Sequence, residues 1–443
     1  MNSLSYDKGS IIIRGETGTP YGQWDPRIKA YRAQALHYTE IKTYLDKSQI
    51  PYRDDAPDIP PITILHSQIR LRSYQQEAFS AWLRAGKRGV IVLPTGAGKT
   101  HIALQAIQTL NEPTLIIVPT IDLIDQWRKH LAEQFNIEVG ILGGGEEQIK
   151  PITVSTYDSA CIRAEQLGNR FTFLVFDEVH HLPAPTFSQI AEMYIAPHRM
   201  GLTATYERED GAHNDLPRLL GGKIYELEID QLIGDHLSNY SYEKVFVELK
   251  PKEQENYKRE YSTFTNYLKR SGIKLRSAAN FQRFIMRTGR DPEARKALLA
   301  RNKALRIFFN SESKIDALGS YLKKFSNEKS LIFTRYNELV YTISRRFLIP
   351  AITHKTPKEE RKEILEKFRA GTYVAVVTSQ VLDEGIDVPD ASVGFILGGS
   401  GSSREYIQRL GRILRKKEGK EAKLFEFVAK ETVETRISQR RHR

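Results

Sequence analysis

Pro94-Thr-Gly-Ala-Gly-Lys-Thr100 is a glycine-rich turn that follows the apolar run Val90-Ile-Val-Leu93 and opens a helical stretch. A strand, a glycine turn and a helix in that order make a phosphate cradle. Backbone N–H groups of Thr95, Gly96, Ala97 and Gly98 and the helix N-terminus can face the anion, Lys99 can reach the β- and γ-phosphates, and the Thr100 hydroxyl can bind Mg²⁺. The strict spacing of such loops asks for glycine at position 93, where this chain has Leu93. An incidental glycine turn is the alternative, and the intact Gly98-Lys99-Thr100 argues against it. Phe173-Leu-Val-Phe-Asp-Glu-Val-His180 supplies a second half. Its four apolar residues carry the chain to the C-terminal edge of a parallel sheet, where ligands of open α/β sheets bind. There Asp177 can hold Mg²⁺ and Glu178 can orient and deprotonate an attacking water. Asp-Glu after a strand is, on its own, more often a helix N-cap. Beside a lysine loop it reads as the acidic half of a nucleoside triphosphate hydrolase.

Hydrolysis also asks for positive charge opposite the leaving phosphate. Glu405-Tyr-Ile-Gln-Arg-Leu-Gly-Arg-Ile-Leu-Arg415 is the candidate, with Arg412 and Arg415 on one helix face. They could act as arginine fingers only when a second lobe closes; alone, the stretch would be a basic surface helix.

The elements that must hold these groups are legible as short apolar runs. Val90–Leu93, Leu115–Val118, Phe173–Phe176, Leu331–Phe333, Val374–Val377 and Val393–Leu397 have the continuous character of strands buried on both faces. Amphipathic stretches lie between them, such as Ile124, Trp127, Leu131 and Phe135 on one stripe. Alternation of this kind implies a doubly wound α/β fold with parallel sheets. The runs fall into two groups, at 88–230 and 310–430, which implies two lobes with an insertion between them. The first 66 residues form a separate unit: a strand at Ser10–Arg14, a turn at Gly15–Pro20, a helix-like stretch carrying Tyr31, Ala35, Tyr38 and Ile41, and a Pro/Asp-rich linker at Asp54–Pro61.

Charge is distributed unevenly along the 443 residues, whose formal net charge is +12. Residues 251–310 hold 15 Lys+Arg against 5 Asp+Glu, residues 401–443 hold 13 against 6, and residues 1–66 hold 8 of each. Clustered cations suit a polyanionic partner, although solvated helix faces and a basic tail would give the same counts. Cys161 is the only cysteine, which excludes an internal disulfide, a multi-cysteine zinc site and a cysteine-ligated cluster, and reads as a buried apolar filler. His180 and His181 would point apart on a strand and lack zinc-spaced partners; His180 reads as a coupling residue and His181 as structural. No signal peptide or membrane-length apolar run stands out, so a cytoplasmic, nucleoid-associated location with no membrane partner is expected.

In this order the motifs resemble those of superfamily 2 helicases. Leu71-Arg-Ser-Tyr-Gln-Gln76 resembles the glutamine motif, with Arg72 and Gln75 at the nucleotide; Pro94–Thr100 is similar to motif I, which tolerates the absent first glycine. Val118-Pro-Thr120, Val154-Ser-Thr-Tyr157, Asp177–His180 and Leu202-Thr-Ala-Thr205 resemble motifs Ia, Ic, II and III. Leu331-Ile-Phe-Thr-Arg335, Val377–Pro389 and Gln408–Arg415 resemble motifs IV, V and VI. Asp-Glu-Val-His weakens a DEAD-box RNA helicase reading. Arg208-Glu209-Asp210 resembles the Arg-Glu-Asp element of XPB-type helicases, the basic insertion falls where that family carries its thumb, and Gly18-Thr-Pro, Trp24-Asp and Tyr31-Arg-Ala are similar to the damage-recognition domain of archaeal members. Without the long extensions of eukaryotic members, the chain is expected to be a compact archaeal form.

The resemblance implies two tandem RecA-like domains with a small N-terminal domain and a helical thumb insertion. The expected divisions are 1–66 for a damage-recognition-like domain, 67–235 for the first RecA-like domain, 236–443 for the second, and 250–305 for the thumb within it. It implies a DNA-dependent ATPase using ATP and Mg²⁺ that opens or translocates duplex DNA with 3′-to-5′ polarity, in excision repair or promoter opening. Gln408 would join Arg412 and Arg415 in catalysis, and Gly385 and Asp387 would approach the nucleotide. Thr203 and Thr205 would link ATP state to lobe arrangement. DNA would be gripped by Thr120, Thr156, Thr334, Arg335 and Thr378, by Arg208, Glu209 and Asp210, and by the thumb cations Lys258, Arg259, Lys269, Arg270, Lys274 and Arg276. The aromatic stripe Tyr257, Tyr261, Phe264 and Leu268 either stacks on bases or forms the thumb's packing face, and helical spacing favours packing. Expected partners are duplex, forked or bubble DNA and a nuclease, as archaeal members have; the chain is expected to be a monomer. A restriction-type translocase without strand separation, an ATP-gated scaffold and an RNA helicase are the competing readings.

Overall fold

The computed structural model describes residues 2–15, 17–208, 210–228, 231–232, 240–379, 391–399 and 422–441. It divides into two compact units, Met1–Gln231 and Leu232–Arg443.

The first unit contains two sheets. Its N-terminal sheet runs in the order Gln23–Asp25, Ala30–Gln34, Ser10–Arg14, Asn2–Asp7, Tyr52–Asp55, and helix Tyr38–Lys47 buries Tyr38, Ile41 and Leu45 beneath it. The helix-like stretch carrying Tyr31, Ala35, Tyr38 and Ile41 is therefore helical only from Ala35 onward. Trp24 and Tyr31 sit opposite each other on paired antiparallel strands, and helix begins only after Gln34. Pairing with a distant strand decided the matter, a contribution that helical spacing cannot report. The Asp54–Pro61 stretch begins inside the strand Tyr52–Asp55 and only then loses regular structure.

The larger sheet runs Lys223–Glu226, Arg88–Val92, His198–Thr203, Phe173–Asp177, Thr114–Val118, Ile152–Thr156, Gly140–Gly143, Glu146–Gln148. All its pairings are parallel except the last. Helices Ser73–Arg84, Lys99–Leu110 and Ile121–Phe135 cover it, and Ile124, Trp127, Leu131 and Phe135 are all buried as their spacing predicts. Arg199 is wholly buried among the strand ends, and its guanidinium donates to the carbonyls of Ala191, Tyr194, Ala196 and Leu219. A buried cation so fully satisfied ties four chain segments to one side chain. Tyr6 of the N-terminal sheet donates to the carbonyls of Ala164 (2.8 Å) and Met193 (3.1 Å), and Ile195 completes that sheet's core. The N-terminal sheet is thus packed against the larger one through both polar and apolar contacts.

The second unit carries a parallel sheet in the order Tyr240–Val247, Ala422–Ala429, Val393–Ile396, Ser330–Phe333, Ala375–Thr378, Ala351–Ile352. Between its first strand and helix Glu312–Lys324, three helices stand together: Pro251–Arg270, Ala278–Arg287 and Pro292–Phe309. The first starts on a Pro at N1, with the Glu253 carboxylate accepting from the Lys250 N–H at 3.1 Å. These helices occupy the stretch where the thumb insertion is expected, and are called the thumb below. Tyr257 and Phe264 are 4% and 5% exposed and Tyr261 stacks on Tyr257, so the aromatic stripe is the packing face. Both sheets are the doubly wound parallel kind anticipated from the apolar runs.

Candidate nucleotide site

The phosphate loop leaves the C-terminal end of the strand Arg88–Val92 and enters helix Lys99–Leu110. Gly96 and Gly98 have φ of 86° and 73°, the left-handed region that glycine enters without steric cost. A Cβ at Gly98 would lie 2.6 Å from the Gln75 amide nitrogen. That amide donates to the carbonyls of Ala97 (2.9 Å) and Gly98 (3.3 Å), while Gln75 Oε1 accepts from the Arg72 N–H at 2.9 Å. Tyr74 adds a hydroxyl bond to Ala97 O at 2.8 Å. Gln75 therefore supports the loop's carbonyl side, while the Ala97 N–H donates within the loop to Pro94 O at 3.2 Å. Lys99 Nζ donates to Leu93 O at 3.0 Å and Pro94 O at 3.4 Å, so its ammonium lies over the loop. The Thr95 hydroxyl is buried with no partner among the described residues.

Asp177 and Glu178 end the strand Phe173–Asp177, separated from the loop strand by His198–Thr203 alone. Burial, then the charge of Glu178, pushes the Asp177 carboxyl up to about 6; a hydrogen bond from Trp127 Nε1 (2.9 Å) and the charge of Lys99 pull the other way. Glu178 adopts φ 49°, left-handed backbone in a non-glycine residue. Tyr157, wholly buried, donates to the carbonyl of Asp177 at 3.1 Å. Thr203, at the end of the intervening strand, donates to the Thr205 carbonyl at 2.8 Å and lies 3.2 Å from His180 Nδ1 and 3.5 Å from Glu178 Oε2. The Arg208 guanidinium bonds the His180 carbonyl and grips Asp210 with two hydrogen bonds of 2.9 and 2.6 Å. A chain of contacts thus runs from the acidic pair through His180 and Thr203 to the Arg208–Asp210 pair.

The donor set suits Mg²⁺ and a triphosphate. Asp177 and Glu178 are part-buried carboxylates one strand away from a loop that carries Lys99 and the Thr100 hydroxyl, and Mg²⁺ characteristically takes few protein ligands. Among the described residues no group of three or more His, Cys, Asp or Glu side chains could form a richer metal centre. His180 and His181 do not point apart as they would on a strand. They lie in the turn Val179–His181 with ring centroids 4.3 Å apart. Cys161, expected to be buried, is partly exposed with its thiol 3.1 Å from the Thr186 carbonyl.

Three family models match the chain. Residues 4–56 match the xeroderma pigmentosum group B helicase damage recognition domain, 68–208 the type III restriction enzyme res subunit, and 313–417 the helicase conserved C-terminal domain. The chain is 45% identical over 99% of both lengths to the DNA 3′-5′ translocase XPB2 of Sulfurisphaera tokodaii. It belongs to the XPB family of superfamily 2 helicases. It is also 30% identical to the DNA 3′-5′ helicase XPB of Mycobacterium tuberculosis, over 86% of this chain and 65% of that one. Against the transcription and DNA repair factor IIH subunit XPB/SSL2 of Saccharomyces cerevisiae the figures are 26%, 93% and 47%, so this chain spans about half of that protein. The fold is also that of the Pyrococcus furiosus Hef helicase domain, with TM-score 0.54 and 20% identity over 84% of this chain and 98% of that one.

In this XPB-family helicase the residues expected at DNA fall into distinct settings. Thr120 and Thr156 cap the helices Ile121–Phe135 and Tyr157–Ile162, their hydroxyls accepting from Leu123 N and Ser159 N. Thr334 and Thr378 are wholly buried, and their hydroxyls donate to the carbonyls of Tyr336 and Ser379. Neither of these two hydroxyls stands at the surface. Arg335 lies over the rings of Phe309 and Tyr336 and donates to Gly399 O at 3.2 Å. Lys258, Arg259, Lys269, Arg270, Lys274 and Arg276 are all exposed on the thumb. Glu209, Gly385, Asp387, Gln408, Arg412 and Arg415 lie outside the described residues. Sequence reasoning missed Trp127 and Tyr157 as supports of the acidic pair. A buried indole N–H needs an acceptor, and that requirement was the available signal for Trp127.

Proposed function

We propose that the protein is a DNA-dependent ATPase that converts ATP hydrolysis into 3′-to-5′ movement along DNA and opens or remodels the duplex, serving excision repair, transcription or both. The observation that carries this reading is the contact chain from Asp177–Glu178 through His180 and Thr203 to Arg208 and Asp210. It gives the hydrolytic pair a physical connection to a segment that can respond to DNA. The loop N–H groups and Lys99 hold the triphosphate, and Gln75 fixes the loop that presents them. Mg²⁺ bound by Thr100 and Asp177 supplies charge neutralisation at the β- and γ-phosphates. Glu178, on its left-handed turn, orients water against the γ-phosphate and accepts its proton. The names of the relatives, translocase and helicase acting 3′-to-5′ on DNA, support the direction and substrate. We assign positive charge opposite the γ-phosphate to Arg412 and Arg415, and backbone gripping to the thumb cations and Arg335. The organisation we propose is damage recognition by residues 1–66, RecA-like domains at 67–235 and 236–443, and a thumb at 250–305.

ATPase rate with no nucleic acid, single strand, duplex, fork and RNA tests the reading. DNA should stimulate turnover strongly and RNA should not, and Lys99→Ala should abolish both turnover and strand displacement on a 3′-overhang substrate. Equal rates with and without DNA would sink it, as would retained function in Lys99→Ala, which a scaffold would show.

A further inference from the structure

The thumb exposes an apolar feature that its own fold does not use. Helix Ala278–Arg287 is anchored by Phe284, 2% exposed, whose ring lies 6.0 Å from that of Phe264 and 6.1 Å from that of Tyr267. The next two residues turn outward: Ile285 is 43% exposed and Met286 69%. A single exposed apolar side chain needs no explanation. Two adjacent ones on a short helix do, because of what surrounds them. The thirty residues between Glu260 and Asp291 contain no acidic side chain and seven Lys and Arg. Arg283 and Arg290, both exposed, flank the pair in sequence, while Arg287 is tied to Asp291 at 3.1 Å.

An exposed apolar pair with an exposed arginine on either side of it in sequence is complementary to one kind of surface, a stack of aromatic bases between two rows of phosphates. Ile and Met are among the side chains that enter base steps, Met because its thioether is polarizable and its chain adapts to the gap. We infer that Ile285 and Met286 form an unstacking wedge that enters a base step where duplex meets single strand, with Arg283 and Arg290 on the adjoining phosphates. The inference rests on the DNA-motor reading above and adds to it the element that separates bases. Because both side chains are exposed, truncating them leaves the thumb core intact.

A forked duplex carrying 2-aminopurine at the junction tests the wedge, since that base brightens when it unstacks. The full-length protein should brighten it on binding without ATP. Ile285→Ser/Met286→Ser should lose most of that signal and unwind the fork about tenfold more slowly, with fork-stimulated ATPase held within about twofold. Ile285→Leu/Met286→Leu should restore both. Arg283→Ala/Arg290→Ala should lower the salt dependence of binding by the equivalent of about two neutralised phosphates. Full brightening and unwinding by the serine variant would overturn the wedge and leave the patch to a protein partner. Failure of the leucine variant to rescue would overturn it equally. If the unmodified protein shows no DNA stimulation, the motor reading falls instead, so the two failures are distinguishable.

Discussion

Trp127 and Asp177, fifty residues apart in the chain, meet through one hydrogen bond, the indole Nε1 donating to Oδ2 at 2.9 Å. This neutral side-chain donor pulls down a carboxyl that burial and the charge of Glu178 still leave raised to about 6. The hydrolytic step needs Asp177 ionised, so activity rises with pH through this region. Removing the donor favours the protonated form and moves that limb upward. Trp127→Phe should shift the acidic limb of the ATPase profile up by about one pH unit, lowering kcat/KM about twofold at neutral pH and about tenfold well below the limb, the value of a hydrogen bond to a charged group. An unmoved limb would show that burial alone sets the Asp177 proton.

Gly98 is held by two separate constraints. Its φ of 73° penalises any side chain, and a Cβ there meets the Gln75 amide at 2.6 Å. Gly98→Ala should weaken Mg·ATP binding by about tenfold or more, through strain and a displaced loop. Gln75→Ala in the same chain removes the clash and leaves the strain. The double variant should therefore bind ATP better than Gly98→Ala and worse than Gln75→Ala, as titration calorimetry can measure. Equal affinity of the single and double Gly98 variants would mean that the amide does not position the loop.

How much of this was legible follows from which contacts are local. The phosphate loop and Asp177–Glu178 are contiguous strings whose chemistry depends on immediate neighbours, and the apolar runs around them mark strands unambiguously. Trp127 was read as part of a buried stripe, which it is; its polar tip was invisible because its partner ends a strand fifty residues further along the chain. Arg199 carries no sequence signal at all, since its four acceptors are backbone carbonyls drawn together by tertiary packing. Trp24 and Tyr31 mimic helical spacing yet face each other across a hairpin. The strand Tyr240–Val247, whose apolar residues are interrupted by Ser241, Glu243 and Lys244, also escaped a search for continuous apolar runs.

The exposed thumb cations bear on DNA through charge, so their effect should appear as a slope. Neutralising Lys258, Arg259, Lys269 and Arg270 should reduce the salt dependence of duplex binding by up to about 0.9 log units per log salt for each phosphate that is no longer neutralised. Arg259 lies 3.7 Å from Glu260 and Arg270 3.9 Å from Glu293, so these two should contribute less than the lysines. An unchanged slope in the quadruple variant would remove the thumb from the DNA path.

Asp291 closes the thumb at the start of its last helix. Its carboxylate accepts from the Tyr267 hydroxyl at 2.7 Å, from the N–H groups of Ala294 and Glu293 at 3.0 Å each, and from Arg287 at 3.1 Å, which together hold it at about 2. Its folded value is depressed, so the stabilisation is present at neutral pH and is lost as pH falls from about 4 toward 2. Asp291→Ala should lower amide protection in the helix Pro292–Phe309 at pH 7, and the gap from the unmodified protein should close across that acidic window. A gap that persists to pH 2 would place the effect in packing and exclude the ionised cap.

Lys314 and Glu434 form a pair that water does not reach, at 0% and 1% side-chain exposure and 2.6 Å apart. Lys314 also donates to Leu397 O at 2.9 Å, and Glu434 accepts from Ala429 N at 2.8 Å. The pair therefore ties the ends of two adjacent strands to the helices Glu312–Lys324 and Glu434–Arg441. Desolvating two ions costs about what their attraction returns, so removing both should be tolerated far better than removing one. Lys314→Met takes the ammonium away from a buried carboxylate and should destabilise the protein by about 3–5 kcal/mol. Glu434→Gln added to it keeps the acceptor for Ala429 N, removes the buried negative charge, and should recover most of that loss in urea unfolding. If the double variant is as unstable as Lys314→Met, the contribution lies in the bond to Leu397 O, and the ion pair is incidental to the fold.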